Sequence, residues 1–184
     1  MKSILIITLA IAVVFIGASC ADENPYPTSG TQNNNNNGSG SGSGALGEAA
    51  PDFNLSSVNG GAASLENYEG KPLVIFFFGS TCPLCIGSAP SVESEINQMY
   101  SADDMTIIGI DTWDGNISAV MNFRNTTGVT FDLLLNGSSV ESSYGITYDR
   151  LLVVDAKGII AFKGNSSASN TVDEVMAVLD GLIQ

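Results

Sequence analysis

The chain has 184 residues, 44% of them hydrophobic, and carries six Lys and Arg against nineteen Asp and Glu for a net charge of −13. A chain of this size bounds one ordinary domain with its own core, and the acidity argues against nucleic acid or anionic headgroups as partners of that domain. The sequence holds no His, which excludes His-based acid-base catalysis, His-ligated copper or zinc, and any Cys-His dyad.

In chain order, MKSILIITLAIAVVFIGASC opens with one lysine, runs through apolar residues from Ile4 to Ile16, and closes on Gly17, Ala18 and Ser19 before Cys20. A short charged start, an apolar middle and a small-residue exit mark an export signal. The apolar run falls short of the ~20 residues of a membrane span. The stretch resembles a bacterial lipoprotein signal, with Cys20 where the lipidated first residue of the mature chain stands, although Gly17 replaces the usual Leu. The resemblance implies a signal peptide over residues 1–19 and a membrane anchor at Cys20. By the same resemblance, Ala21 rather than Asp after the cysteine implies outer-membrane sorting, in a cell envelope facing the periplasm or exterior. An ordinary signal peptide with an incidental cysteine is the alternative.

Residues 20–44, rich in Asn, Gly and Ser, offer almost nothing apolar to bury. They read as a flexible tether with a root-mean-square reach of roughly 25 to 30 Å. Residues 45–184 then form the folded head. With Lys2 removed along with the signal, five basic residues face nineteen acidic ones, a net charge of −14.

Within the head, Leu73 to Phe78 is a continuous apolar run with β-branched and aromatic content, the mark of a strand buried on both faces of a mainly parallel sheet. Gly79 ends it, and Cys82-Pro83-Leu84-Cys85 follows. With Cys20 taken by lipid, Cys82 and Cys85 are the head's remaining thiols, and an oxidising compartment lets such a pair persist as a disulfide. A structural zinc needs two more Cys or His ligands, which the head lacks, so no metal is expected. A purely structural bond would close too short a loop to remove much chain entropy. Pro83 suits the first turn of a helix, and Val92, Ile96 and Met99 continue it at helical spacing. Cys82 therefore falls at a helix N-terminus, where unpaired amides favour a thiolate, and Cys85 lies one turn in and more buried. That asymmetry suits Cys82 to attack a partner and Cys85 to resolve the mixed disulfide. Two small buried hydrophobes at a strand-helix junction remain the plain structural alternative.

Met105 to Ile110 reads as a second strand, and Asn116 to Arg124 as a helix burying Ile117, Val120 and Met121. Leu133 to Leu135 and Leu151 to Val154 are further strands, the latter turning through Asp155-Ala156-Lys157-Gly158 into Ile159 to Phe162 as a hairpin. The last helix begins with Thr171 and Glu174 in capping-box spacing and presents Val172, Val175, Leu179 and Leu182 to the core. The pattern is an α/β domain with a parallel part and an antiparallel edge.

GEAAPDFNLSSVNGGAASLENYEGKPLVIFFFGSTCPLCIGSAP and, further on, YGITYDRLLVVDAKGII resemble the TlpA-like (ResA-like) thioredoxin family over essentially the whole head. Gly47, Ala50, Pro51, Asp52, Phe53 and Leu55 match its first-strand motif, Gly70-Lys71-Pro72 its turn before the central strand, and Pro90 its helix-kinking proline. The resemblance implies a thioredoxin fold, with a central mixed β-sheet flanked by helices and an N-terminal β extension. It further implies thiol-disulfide exchange with protein thiols and disulfides, with no cofactor, and redox cysteines at Cys82 and Cys85.

The departures are specific. Thr81 stands where the family usually has Trp, Ser88 where it often has Glu, and Asp149 where it places a cis-proline facing the disulfide. A cis bond before a non-proline residue costs ~3 to 4 kcal/mol, so a trans bond and a reshaped loop are expected at Asp149. Arg150 is the cation nearest the pair by fold analogy. It is a candidate to steady a thiolate, and Asp149 to take protons, unless the two form a plain surface ion pair worth ~0 to 1 kcal/mol. Thr81 and Pro83 flank Cys82 as further modulators. Peroxiredoxins share the fold, but their peroxidatic cysteine follows a Thr by three residues, and here that place is Gly79. Two main function classes stand: a membrane-anchored extracytoplasmic thiol-disulfide oxidoreductase, and a binding or scaffold module keeping the fold and a stable disulfide.

Overall fold

The computed structural model describes residues 42–183; the signal segment, Cys20 and the tether as far as residue 41 lie outside the described residues. The head opens with a short antiparallel hairpin, β1 (Asn54–Ser56) and β2 (Ala62–Ser64). It leads through a 3₁₀ turn at Leu65–Tyr68 into β3 (Leu73–Phe78), which ends at Gly79 ahead of α1 (Pro83–Ser91). Then follow β4 (Thr106–Asp111), α2 (Ile117–Thr127), β5 (Asp132–Leu134) and α3 (Ser138–Tyr144). The chain closes with β6 (Arg150–Val154), β7 (Ile160–Lys163) and α4 (Val172–Leu182).

The five-stranded sheet runs β5-β4-β3-β6-β7. β3 pairs parallel with β4 and β4 with β5, while β6 runs antiparallel to both β3 and β7. The central place of β3 explains its uninterrupted apolar sequence, because both its faces are covered. Val74, Phe76 and Phe78 point into one layer with Cys85, Ala89, Ile96, Phe123 and Leu179. Leu73, Ile75 and Phe77 point into the other with Phe53, Leu55, Val140 and Tyr144. This second layer is the reason for the N-terminal β extension. The hairpin lids that face and is joined to the sheet where Ser57 bridges Leu134 and Ala49 bridges Ile159.

Three local expectations are corrected. Met99 is 65% exposed rather than in line with Val92 and Ile96. Beyond Pro90 the helix widens into a π-helical segment, Val92–Asn97, closed by Gln98 N–H donating to the Glu93 carbonyl, and the wider turn rotates later residues out of α-helical phase. In α2 the buried face is Val120, Phe123 and Thr127, leaving Ile117 exposed and Met121 half-buried. Phe123 wins the interior by stacking on Phe78, ring centroids 4.3 Å apart. Thr171 does not cap α4 with its side chain. A 3₁₀ turn, Ala168–Asn170, runs straight into the helix, and the Thr171 hydroxyl donates back to the Ala168 carbonyl at 3.2 Å.

Candidate active site

The cysteines lie where β3 ends and α1 begins, at the edge formed by the C-terminal ends of the parallel strands β3, β4 and β5. Such an edge gathers loops from several strands and is the usual seat of a site in α/β sheets. Cys82 is the N-cap of α1, and Pro83 occupies the first turn, its fixed φ and missing N–H suiting that place. Cys82 Sγ accepts the Cys85 N–H at 3.3 Å, and Cys85 Sγ accepts the Gly79 N–H at 3.4 Å. Both are free thiols, Cys82 2% exposed and Cys85 fully buried. Burial pushes the Cys85 thiol well above the ordinary cysteine range; its hydrogen bond with Cys82 and the charges of Cys82 and Asp149 add to the rise, while the Gly79 N–H opposes it. Cys85 is thus held as a thiol at neutral pH. Thr81 and Leu84 are exposed on the lip around Cys82.

The loop between α3 and β6 does reach the pair. The bond before Asp149 is trans, and Asp149 takes a left-handed backbone with φ 54°, a conformation Asp and Asn tolerate better than most residues. Its carboxylate is carried inward. The residue is 2% exposed, Oδ2 accepts from Ser88 Oγ at 3.2 Å, and Oδ1 is buried with no partner among the described residues. Ser88, where the family often has Glu, thus meets an acid that comes from the opposite loop. Arg150 starts β6 opposite Phe77 and donates from Nη1 to the Asp149 carbonyl at 2.9 Å. The structure therefore joins Cys82, Cys85, Ser88 and Asp149 at one place, and turns the Arg150 guanidinium onto the Asp149 backbone.

Sequence reasoning missed the residues of the loop after β4. Trp113, the chain's single Trp, lies flat against Gly79; a Cβ there would stand 2.5 Å from the indole. Trp113 and Tyr148 then meet edge to face, centroids 5.0 Å apart, as a partly exposed aromatic pair. Beneath them Asp111, fully buried, accepts the N–H groups of Ser80 at 2.8 Å and Gly115 at 2.6 Å. Burial raises its carboxyl above the ordinary range, against the pull of these N–H groups and that of Trp113. Glu141 accepts the Tyr148 N–H and the Thr112 hydroxyl, and burial raises it too. The available signal was positional: an acidic and aromatic cluster directly after a parallel strand, where site loops gather.

The Redoxin family matches residues 45–179. The chain is 27% identical over 117 residues to the thioredoxin-like protein YneN of Bacillus subtilis, a match covering 62% of this chain and 68% of YneN. It is 28% identical over 103 residues to the thiol-disulfide oxidoreductase ResA of Geobacillus thermodenitrificans, covering 55% of this chain and 58% of ResA. The match thus spans little more than half of ResA's length. The thioredoxin domain of a thiol-disulfide oxidoreductase from Bacteroides vulgatus superposes with a TM-score of 0.61 at 22% identity, over 71% of this chain and 97% of that one, and shares the fold.

Proposed function

The chain belongs to the Redoxin family, its relatives being ResA-like thioredoxin-fold proteins, and from that premise we propose that Cys82 and Cys85 exchange disulfides with protein thiols. The observation that carries this reading is the asymmetry of the pair: Cys82 caps α1 and takes an amide hydrogen on its sulfur, while Cys85 is sealed beneath it as a thiol. The Cys82 thiolate attacks one sulfur of a partner disulfide, forming a mixed disulfide and releasing the partner's other sulfur as a thiolate. Cys85 then attacks Cys82 Sγ, forming the internal disulfide and expelling the partner's second thiolate. Run backwards, the same steps oxidise a partner dithiol. Thr81, Pro83 and Leu84 form the lip over which the partner must approach.

The domain arrangement belongs to the same reading. A signal peptide over residues 1–19 is removed, Cys20 carries lipid, and residues 20–44 tether the head to a membrane facing the periplasm or exterior, with the outer membrane favoured. A Cys85→Ser variant should accumulate mixed disulfides through Cys82, seen as reducible adducts on a non-reducing gel. Trapping that required Cys85 instead would refute the assignment.

One observation favours a second reading. Cys82 is only 2% exposed, which suits a quiet disulfide in a scaffold module. The reduction potential of the pair and its rate with a model disulfide separate the two: a slow rate at a low potential is the scaffold's signature.

A further inference from the structure

Residues 42–44, the last of the tether, pack on the head: Gly42 is half-buried, Ser43 exposed and Gly44 buried. At Gly42 an added Cβ would stand 2.6 Å from the Pro51 nitrogen and from the Ala50 carbonyl carbon. At Gly44, whose φ is 67°, it would stand 2.5 Å from the Ser143 carbonyl oxygen and 2.7 Å from Tyr144 Cα. These neighbours are backbone and do not rotate away, so both places require glycine. The Gly-Ser alternation has the composition of a flexible linker, yet at this end its glycines meet the head and its serine faces water.

Lys163, the last residue of β7, latches the segment down. Its ammonium donates to the Gly44 carbonyl at 2.9 Å and to the Tyr144 carbonyl at 2.7 Å. Tyr144 is the last residue of α3, where carbonyls lack helical partners and a cation is favoured. One positive charge is thus shared between the tether and the start of the loop 145–149.

From that loop, contacts run on to the cysteines. Tyr148 meets Trp113 edge to face, and the Trp113 indole lies on Gly79. Gly79 gives its N–H to Cys85 Sγ at 3.4 Å and takes the Cys82 N–H on its carbonyl at 3.0 Å. Next in the loop, the Asp149 carboxylate takes the Ser88 hydroxyl, whose oxygen also lies 3.3 Å from Ser169 Oγ. The loop therefore holds the cysteine-bearing segment at two places, and is itself held at its start by Lys163.

We propose that residues 42–44 are a strap and Lys163 a positioning residue that couples it to the site. With the strap docked, the shared ammonium fixes the end of α3, the loop 145–149 stays against the cysteine-bearing segment, and Cys82 keeps its 2% exposure. With the strap released, the loop loosens and Cys82 opens to partners. This rests on the oxidoreductase reading and on residues 20–44 being a tether. A contact three residues long, held by one side chain at the edge of the fold, belongs to the least stable part of a domain. The docked and released forms are therefore close enough in free energy for events along the tether to shift the balance between them.

The test uses the reduced full chain in detergent. Gly44→Ala drives a methyl into the α3 backbone and should expel the strap, Lys163→Met removes the latch, and Lys163→Arg restores a cation. Amide hydrogen exchange is followed in the loop, where the Gly145 and Ile146 N–H groups are bonded at 3.1 and 3.2 Å, and Cys82 alkylation is timed by mass spectrometry. Gly44→Ala should speed loop exchange about tenfold, speed Cys82 alkylation several-fold and shift the Trp113 emission, with exchange in β3 and β4 unchanged. Lys163→Met should do the same, and Lys163→Arg should return both rates toward the parent. Parent-like loop exchange and alkylation in Gly44→Ala overturn the proposal, and that variant decides alone if Lys163→Met fails to fold, judged by its thermal melt. Both responses in a chain whose parent exchanges with no model disulfide would support the strap while removing the oxidoreductase reading.

Discussion

Two buried acids, one at each end of the sheet, show how the same side-chain chemistry is put to different ends. Glu93 lies near the start of β5, away from the cysteines, and is filled on every side. It accepts the Thr130 N–H at 2.9 Å, the Thr130 hydroxyl at 2.8 Å, the Asn97 amide at 3.0 Å and the Gln98 amide at 3.2 Å. Burial alone would raise its carboxyl, but these bonds outweigh it and hold Glu93 below the ordinary range. Asp149, at the cysteine end, has one hydroxyl partner and one orphan oxygen. The backbone tells the same story. Among the described residues, the non-glycine residues with left-handed φ, namely Asp114, Asn136 and Asp149, all lie in loops at the cysteine end. At the opposite end the turns before β3 and after β6 give that conformation to Gly70 and Gly158, which adopt it without strain. The Glu93 carboxylate is fully paired, whereas the cysteine end keeps an unpaired carboxylate oxygen at Asp149 and left-handed non-glycine residues where chemistry is done.

The contrast breaks most severely at Glu93. Glu93→Gln replaces an acceptor by an NH₂ facing donors, and should cost about 2 to 3 kcal/mol in chemical denaturation. The sign of its pH dependence follows from the lowered carboxyl. A folded-state value below the unfolded one gives stability that is full above about pH 5 and is lost as pH falls through the folded value. Glu93→Gln should therefore flatten the acid limb of the parent's stability profile; an unchanged acid limb would remove Glu93 as an anchor.

Gly79→Ala sharpens the other side of the comparison. The added methyl would collide with the Trp113 indole and should cost about 1 to 3 kcal/mol. It should also push the single Trp into water, read as a red shift of its emission. An unmoved spectrum would mean that the indole is not held against Gly79. Smallest is Gly158→Ala, where φ is 81° in the turn between β6 and β7. A loss of about 1 kcal/mol in thermal stability is expected, with disulfide exchange unaffected. A change in exchange rate there would contradict the separation of the two ends.

How much of this was readable in advance depends on how far apart in the chain the partners lie. The strand Leu73–Phe78, the helix start at Pro83 and the cysteine spacing are local features, and periodicity and propensity report them directly. The order of the core layers follows from a strand apolar on both faces. Asp149 was noticed only because it stands where a family proline is expected, and nothing local indicated that its carboxylate turns inward. Ser88, Asp149 and Ser169 are 61 and 20 residues apart and meet only because β6 returns antiparallel beside β3 and the turn before α4 packs over α1. Trp113 was equally hidden, since a lone aromatic after a strand has no periodic partner. At Thr171 and Met99 the local pattern was present but lost, once to a preceding 3₁₀ turn and once to the π-helical segment.

That π-helical segment also has a mechanical meaning. Pro90 has no N–H to bind the preceding turn, and the wide stretch Val92–Asn97 follows at once. The cysteine-bearing turns are thus a short rod that runs into an expansion joint, and the joint itself is bolted through Glu93 to Thr130. Small adjustments at Cys82 and Cys85, as a bond between them opens or closes, can be taken up around Pro90, ahead of the bolt, without drawing on it.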